Sequence, residues 1–432
     1  MAFIETDDPL IEKELQKLED LISEGGGGIH SNVVLTSHDG GLGVKTKEPM
    51  ARGKEIIRLP REALLPADKY NLGAQGDEFT LEFPAGSNFT TLQRKLAESM
   101  ITLYNFTHKV KSHKQTSFLY VYASYPDVLD KISAARSFGG DMMVWREKIA
   151  QGLKDEELSE YLGESFLKTR NLGYTDYVRV SSVPVLMPVI DFMNHHWNGA
   201  NFNVGQGVRK GDLAIAAAQE TGSLDCFAFY NIMDPLDAFI RYDFIDEASP
   251  VIRSVPIDLE VEDFGIIRVG SGAGSAANKK LPTGMADLKR FLPTFSLEKD
   301  QKILKVSHLL IPIDGSPLAL RRVLHMLLVN LAQKNLERSF FGPRVRELEA
   351  QIIEKNKAFY KDFLVYLDGV IQEKGSNPAL QRLRHVYEVQ ARNIELYTLM
   401  KGGASDVAFG ATDQQLVNID DMRDMIQEEP GA

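Results

Sequence analysis

Two short stretches concentrate the side chains that could do chemistry. Residues 185–197 read VLMPVIDFMNHHW, an apolar run that stops on Asp191 and delivers Asn194, His195 and His196. Residues 226–244 read CFAFYNIMDPLDAFIRYDF, a second apolar run that stops on Tyr230, with Tyr242 following. Two strands that deliver Asn, His and Tyr from their ends read as the walls of a site. Carboxylate and imidazole are common metal ligands. Here the spacing argues against a metal, because adjacent His195 and His196 point to opposite sides of a strand and the chain has no HExxH pattern. A purely structural cluster is the plain alternative. Cys226 is the only cysteine and lies inside the apolar run, which suits inert core better than a nucleophile. No GxSxG elbow is present, which argues against a serine hydrolase.

Composition bounds the class. The 432 residues are too many for one compact core and suggest two or three domains. A formal net charge of -11 argues against a general nucleic-acid binder, which needs a basic face for phosphates. With one cysteine no internal disulfide or cysteine zinc cluster can form, so a reducing intracellular compartment is expected, the cytoplasm ahead of the nucleus. The acidic, amphipathic N-terminal segment lacks the charge pattern of a secretory signal. No run of about 18 apolar residues predicts a membrane span.

The positioning elements alternate in period. Residues 8–23 place Leu10, Ile11, Leu15, Leu18, Leu21 and Ile22 on one helical face. Short strands are expected at 33–35 and 55–59, joined by a segment with Gly40, Gly41, Gly43 and Gly53, where turns or close approach to a ligand are possible. Alone, that segment reads as a hairpin with glycine turns. From Thr91 the period is helical to about Leu172, with Leu92, Leu96, Met100 and Leu103 on one face. The tyrosines of this block, Tyr104, Tyr120, Tyr122 and Tyr125, read as core or interface. Strands return at 185–190, 213–218, 227–230 and 251–261. Between them Asp234, Pro235 and Asp237 start a helix with a cap, a first-turn proline and a favourable charge.

Residues 270–280, GSGAGSAANKK, follow a strand-like run and could cradle a nucleotide. No second strand ending in an acidic residue and no βαβ alternation follows, so the linker reading is preferred. Beyond it, helices are expected from Pro317, from Pro343 to about Glu373, and from Pro378 to about Met400, forming a bundle. The tail past Gly402 is polar and acidic, with room for one short helix.

Taken together, these residues resemble the SET-domain protein methyltransferases, and within them the branch typified by the Rubisco large-subunit lysine methyltransferase. The resemblance spans roughly residues 35–400 and rests on few sharp motifs. Residues 41–60 (GLGVKTKEPMARGKEIIRLP) match the family's early Gly-x-Gly segment and strand. Residues 175–183 (TDYVRVSSV) are similar to the segment that closes its helical insert. Residues 188–196 (PVIDFMNHH) match its Asp and Asn-His pair, and residues 227–246 its catalytic tyrosine with a later aromatic. The chain departs from the pattern at His196, at Asn231 and at Met233-Asp234-Pro235, and the arginine often found before Asp191 has no clear counterpart.

The resemblance implies an α+β fold: a SET-like β fold interrupted by a helical insert, then an all-helical C-terminal domain that binds a protein substrate. On that basis the expected organisation is an N-terminal helix at 1–30, SET parts at 31–90 and 179–265 flanking an insert at 91–178, a linker at 266–284, the helical domain at 285–402 and a tail at 403–432. It implies S-adenosylmethionine as cofactor, held by Gly41, Leu42, Gly43, Val44, Asp191, Asn194 and His195. Tyr230 becomes the catalytic tyrosine, and Phe229 and Tyr242 wall a substrate channel. The implied activity is methyl transfer to a protein lysine, with histidine an open variant and neither membrane nor nucleic acid as partner. The departures motivate a rival reading, an inactive SET-fold protein serving as a binding module. A metal-dependent hydrolase is the third.

Overall fold

The computed structural model describes residues 2–176, 181–206, 209–218, 224–272, 288–289, 291–313, 317–334 and 338–403. The chain divides into two units, one of residues 1–123, 144–231 and 241–243, the other of residues 124–143, 232–240 and 244–432.

The first unit holds the small sheets. Strand Phe3–Thr6 lies parallel to Val33–His38, which pairs antiparallel with Gly41–Thr46 at the sheet's edge. The N-terminal segment is therefore strand then helix, where a helix alone was expected. The four residues FIET carry no period, and their partner lies some thirty residues on. Helix Pro9–Glu24 follows, with Asp8 accepting from Leu10 N at 2.8 Å and Ile11, Leu15, Leu18, Leu21 and Ile22 buried. A second sheet runs Phe202–Val204, Leu213–Ala216, Glu55–Leu59, Gly28–Ile29, which makes the small-residue strand at 213 an inner one.

Helix Thr91–Phe106 starts on a capping box between Thr90 and Gln93. Helix Asp155–Lys168 packs on the hairpin Asn71–Gln75 and Glu78–Glu82 through Gly163, where a Cβ would overlap the Leu72 carbonyl. This helix stops at Lys168. Leu172–Asp176 is a strand paired with Ser181–Leu186, not the end of a helical insert, because the ladder from Leu172 to Asp176 satisfies its backbone. The middle of the SSV motif's approach, residues 177–180, lies outside the described residues.

The second unit corrects the expected C-terminal domain. Strands Ile257–Val261 and Gly265–Val269 join Phe295–Glu298 and Ile303–Val306 in one four-stranded sheet, and Val251–Arg253 pairs with Leu310–Pro312. The region from 285 is thus not all-helical, and the expected boundary at 266–284 falls inside one sheet. The pairings of Gly265–Val269 with Ile303–Val306 and of Val251–Arg253 with Leu310–Pro312 join residues more than thirty apart and leave no local trace. Of the expected linker, residues 273–284 lie outside the described residues, as do 404–432 of the tail. Helices Pro317–Ala332 and Pro378–Gly403 follow as read from the period, whereas the middle helix runs Arg338–Lys374 and carries inside it the Pro343 where its start was expected. Leu320, Val323, Leu324, Leu327, Leu328 and Leu331 are all buried.

At the centre of this unit sits Asp234. It caps helix Pro235–Tyr242 by accepting from Asp237 N at 2.7 Å, and also accepts from Arg253 N at 3.0 Å, Gln390 Nε2 at 2.7 Å and the Arg136 guanidinium. Burial alone would push this carboxyl up; Arg136 and then Arg253 hold it below the ordinary range. Removing the carboxylate takes from the buried Arg136 its main counter-charge and leaves it Asp237 Oδ1, 3.3 Å from its Nε. Asp234→Ala is expected to cost about 3–5 kcal/mol, read as a lower denaturant midpoint for the unit that contains it.

Candidate functional site

The site is assembled within the first unit by main-chain hydrogen bonds around residues 224–230. Strand Gly41–Thr46 pairs along one edge with Val33–His38, and its other edge carries an isolated bridge between Lys45 and Asp225. Along its other edge Thr46 N donates to Leu224 O at 2.8 Å and Cys226 N donates to Val44 O at 2.8 Å. The same segment then meets residues 194–200. Ala228 N donates to Asn194 O at 2.9 Å, Ala200 N to Phe227 O at 2.8 Å, and Phe229 N to Ala200 O at 2.8 Å. Gly199 permits this approach, since a Cβ there would lie 2.6 Å from the Ala228 carbonyl carbon. Residues 227–230 are not the strand expected from their apolar run; among them Ala228 alone bridges, to His195 and to Ala200. Two different neighbours claim alternate backbone groups, so no continuous ladder develops.

The first apolar run is likewise shorter than its composition suggests. Strand Ser181–Leu186 ends before Met187, and Val189 takes a left-handed backbone with φ 65°. A short helical turn Ile190–Phe192 then presents Asp191. Asp191 is buried and its Oδ2 accepts from Tyr104 Oη at 2.6 Å and Arg170 Nη1 at 2.9 Å. The Arg170 guanidinium also lies over the Phe166 ring, 4.7 Å from its centroid. Burial works against the charge on Arg170, but Asp191 raises its pKa above the ordinary value. Burial first, and Asp191 second, lift the Tyr104 hydroxyl well above the usual range.

Tyr230 is held at both ends. Its N–H donates to His195 Nδ1 at 3.1 Å and its hydroxyl to Met193 O at 2.6 Å. Its ring lies 5.3 Å from His195 and 5.4 Å from Tyr242. Burial, reinforced by Asp191, pushes the Tyr230 hydroxyl pKa up, so it is a neutral donor at neutral pH. A cavity of about 130 Å³ opens here, with Arg170, Asn171, Asp191, Phe202, Tyr230 and Tyr242 in its wall. Phe229 turns instead to His195 at 6.0 Å and Trp197 at 5.8 Å. Gly41, Leu42, Gly43, Val44, Asn194 and His195 are joined to the tyrosine through the backbone of their two segments.

His196 has a structural role of its own. Its Nδ1 accepts from Asn198 N at 3.0 Å and its ring packs on Phe227 at 5.3 Å. Among the described residues no group of three or more His, Cys, Asp or Glu side chains is arranged to hold a metal. Cys226 is buried, and burial with Asp225 nearby pushes its thiol up to about 12, which leaves it unreactive at neutral pH. Among the described residues no helix is long and apolar enough to cross a membrane.

Sequence reasoning missed Arg170, Asn171 and the Tyr104 hydroxyl. Arg170 pairs with Asp191 from 21 residues upstream. It follows a helix end where a basic residue is ordinary, so its type carried no signal. Tyr104 was read as core, which its burial agrees with, but its hydroxyl ends on the site's carboxylate.

No protein-family model matches the chain, and no curated protein matches it. Solved structures do. One described as the SET domain of LSMT bound to lysine and AdoHcy shares 11% identity over 95% of this chain and 98% of that chain, with a TM-score of 0.39. A second, bound to MeLysine and AdoHcy, shares 11% over 94% and 98%, with a TM-score of 0.40. A third, Rubisco LSMT bound to AdoMet, shares 11% over 90% and 92%, with a TM-score of 0.37.

Two expectations follow from the site's electrostatics. Arg170→Met leaves the Asp191 carboxylate with Tyr104 alone and should lower stability by about 3–5 kcal/mol, measured by chemical denaturation. Tyr230 should contribute nothing to phenolate absorbance below about pH 10, the ordinary tyrosine value. A spectroscopic titration of the chain against Tyr230→Phe compares the two; an earlier difference would contradict the raised hydroxyl.

Proposed function

We propose that this chain is a SET-type, S-adenosylmethionine-dependent protein N-methyltransferase that acts on a lysine side chain. The observation that carries the reading is the pair of backbone bonds from Cys226 to Val44 and from Ala228 to Asn194. They set Tyr230 at the end of a segment flanked by the glycine strand on one side and the Asn194-His195 pair on the other, facing a cavity. These are the three motifs whose chemistry the reading needs in one place.

The residues present suit the cofactor. Gly41–Thr46 is an edge strand that begins with exposed Gly41 and half-buried Leu42 and Gly43, so its backbone can approach a ligand. In the cavity wall Arg170 Nε and Asn171 Oδ1 are buried without a hydrogen-bond partner. One is a donor and the other an acceptor, which matches a polar ligand bearing both kinds of group. When bound, the cofactor supplies an electrophilic methyl on a sulfonium.

The chain's own residues do the rest. Free lysine has a pKa near 10.4 and is almost wholly protonated at neutral pH. Contact with the Tyr230 and Tyr242 rings in the cavity wall removes water from the nitrogen, which disfavours the ammonium and so favours the amine. Asp191 is already met by Arg170 and Tyr104, so it offers little to hold the proton on. The Tyr230 hydroxyl donates its hydrogen bond to the Met193 carbonyl, which leaves the oxygen lone pairs to accept from an amine N–H. That contact orients the nitrogen lone pair, and orientation is the main contribution such a displacement requires. Tyr242, ring to ring with Tyr230, supplies an apolar wall that tolerates a methylated nitrogen. We assign the C-terminal helices from Pro317 to Gly403 to holding the protein substrate.

Calorimetry with S-adenosylmethionine and methyl-donor labelling of a protein extract test the proposal. The chain should bind the cofactor and label a protein on lysine. Tyr230→Phe should lower turnover by roughly 10²–10³-fold with cofactor affinity largely retained. Absence of cofactor affinity would remove the reading in favour of a non-catalytic binding module. Labelling on histidine would keep the methyltransferase and change its substrate.

A further inference from the structure

Tyr242, part of the cavity wall, is the last residue of helix Pro235–Tyr242. Asp243 follows it with a left-handed backbone at φ 61°. That conformation is uncommon outside glycine and persists where surrounding contacts hold it. Here the side chain is held from one stretch of chain. Asp243 Oδ1 accepts from Phe118 N at 3.0 Å, and Oδ2 lies 3.5 Å from His113 Nδ1. All of these residues belong to the first unit.

His113 is buried in helix Lys109–Thr116 and meets the opposite wall as well. Its Nε2 lies 2.7 Å from Ser165 Oγ, and its ring stands edge-on to Phe166 with centroids 5.5 Å apart. Phe166 is the ring under the Arg170 guanidinium. A carboxylate opposite Nδ1 requires a hydrogen there, so in the neutral imidazole Nε2 accepts from the Ser165 hydroxyl. Ser117 Oγ and Tyr161 Oη, 2.7 Å apart, tie the same stretch to helix Asp155–Lys168 once more. One imidazole therefore spans from the residue after Tyr242 to the residues that carry Arg170.

We propose that His113, acting through Asp243, is a positioning residue for methyl transfer: it sets the Tyr242 wall against the Arg170 wall and so fixes where the target amine sits. The assignment rests on the methyltransferase reading. It deepens that reading with two residues that stand outside the cavity wall and outside the glycine, Asn-His and tyrosine motifs.

The test follows label from S-adenosylmethionine into a protein extract, with the full chain, and S-adenosylhomocysteine affinity by calorimetry on the same preparations. His113→Ala should lower the initial labelling rate about 10-fold, as expected when reacting atoms lose alignment, and leave the calorimetric affinity unchanged. His113→Gln can still donate to Asp243 or accept from Ser165 and should restore part of the rate. In a Tyr242→Leu background the ring is already gone, so His113→Ala should cost about 2-fold or less further, the non-additivity of residues that act through one another. If His113→Ala does not fold, Asp243→Asn keeps an acceptor for Phe118 N and reads the same comparison. A loss of about 10-fold in both backgrounds would overturn the proposal, since His113 would then act independently of Tyr242. So would an unchanged rate, or an equal fall in S-adenosylhomocysteine affinity. An unaltered chain that labels nothing would remove the methyltransferase reading itself, an outcome separate from any effect of the variants.

Discussion

A buried carboxylate cannot be left unanswered, and the site's construction follows from how Asp191 is answered. Tyr104 comes from helix Thr91–Phe106, and Arg170 from just beyond the end of helix Asp155–Lys168. Both converge on a three-residue turn. Withdrawing either partner would leave charge in a low-dielectric place, which is costly whatever the surrounding packing. With the turn fixed, Met193, Asn194 and His195 emerge at set positions. Tyr230 then reads those positions through two bonds, its N–H on His195 and its hydroxyl on Met193 O. The orientation of one phenol therefore traces back to one ion pair.

The second unit solves a related problem with Asp234. There the carboxylate meets a helix N-terminus, two arginines and Gln390 together. Asp234 is where it is because the helix that follows needs a cap and the interior needs a counter-charge for Arg136. His196 is occupied in a local turn with Asn198 and against Phe227.

Close approach of backbones is the other recurring device. Gly199 lies against Ala228, and Gly163 against Leu72, at separations that leave no space for a Cβ. Each brings an extended segment or helix onto another chain segment without intervening side chains. At Gly199 the result is the threading of residues 226–230 past Ala200, with hydrogen bonds to both neighbours. The catalytic candidate thus stands on a segment anchored through main-chain groups, which side-chain variation disturbs little.

The sequence by itself determined the helices and the chemistry-bearing residue types. Periodicity is a local property, so the helical runs around Leu10–Ile22, from Thr91, from Pro317 and from Pro378 were legible, with the middle C-terminal helix read from Pro343 and not from its start at Arg338, as were the cap at Asp234 and the grouping of Asp191, Asn194, His195 and Tyr230. The tertiary structure decided what depends on distant partners. Strand Phe3–Thr6, the sheet joining residues 257–269 to 295–306, and the isolated bridges at 225–228 are pairings across separations that leave no periodic trace. The same holds for Arg170 on Asp191. Residue type says that a cation is present; only the fold decides which carboxylate or carbonyl it meets, because that contact is fixed by packing and not by spacing along the chain.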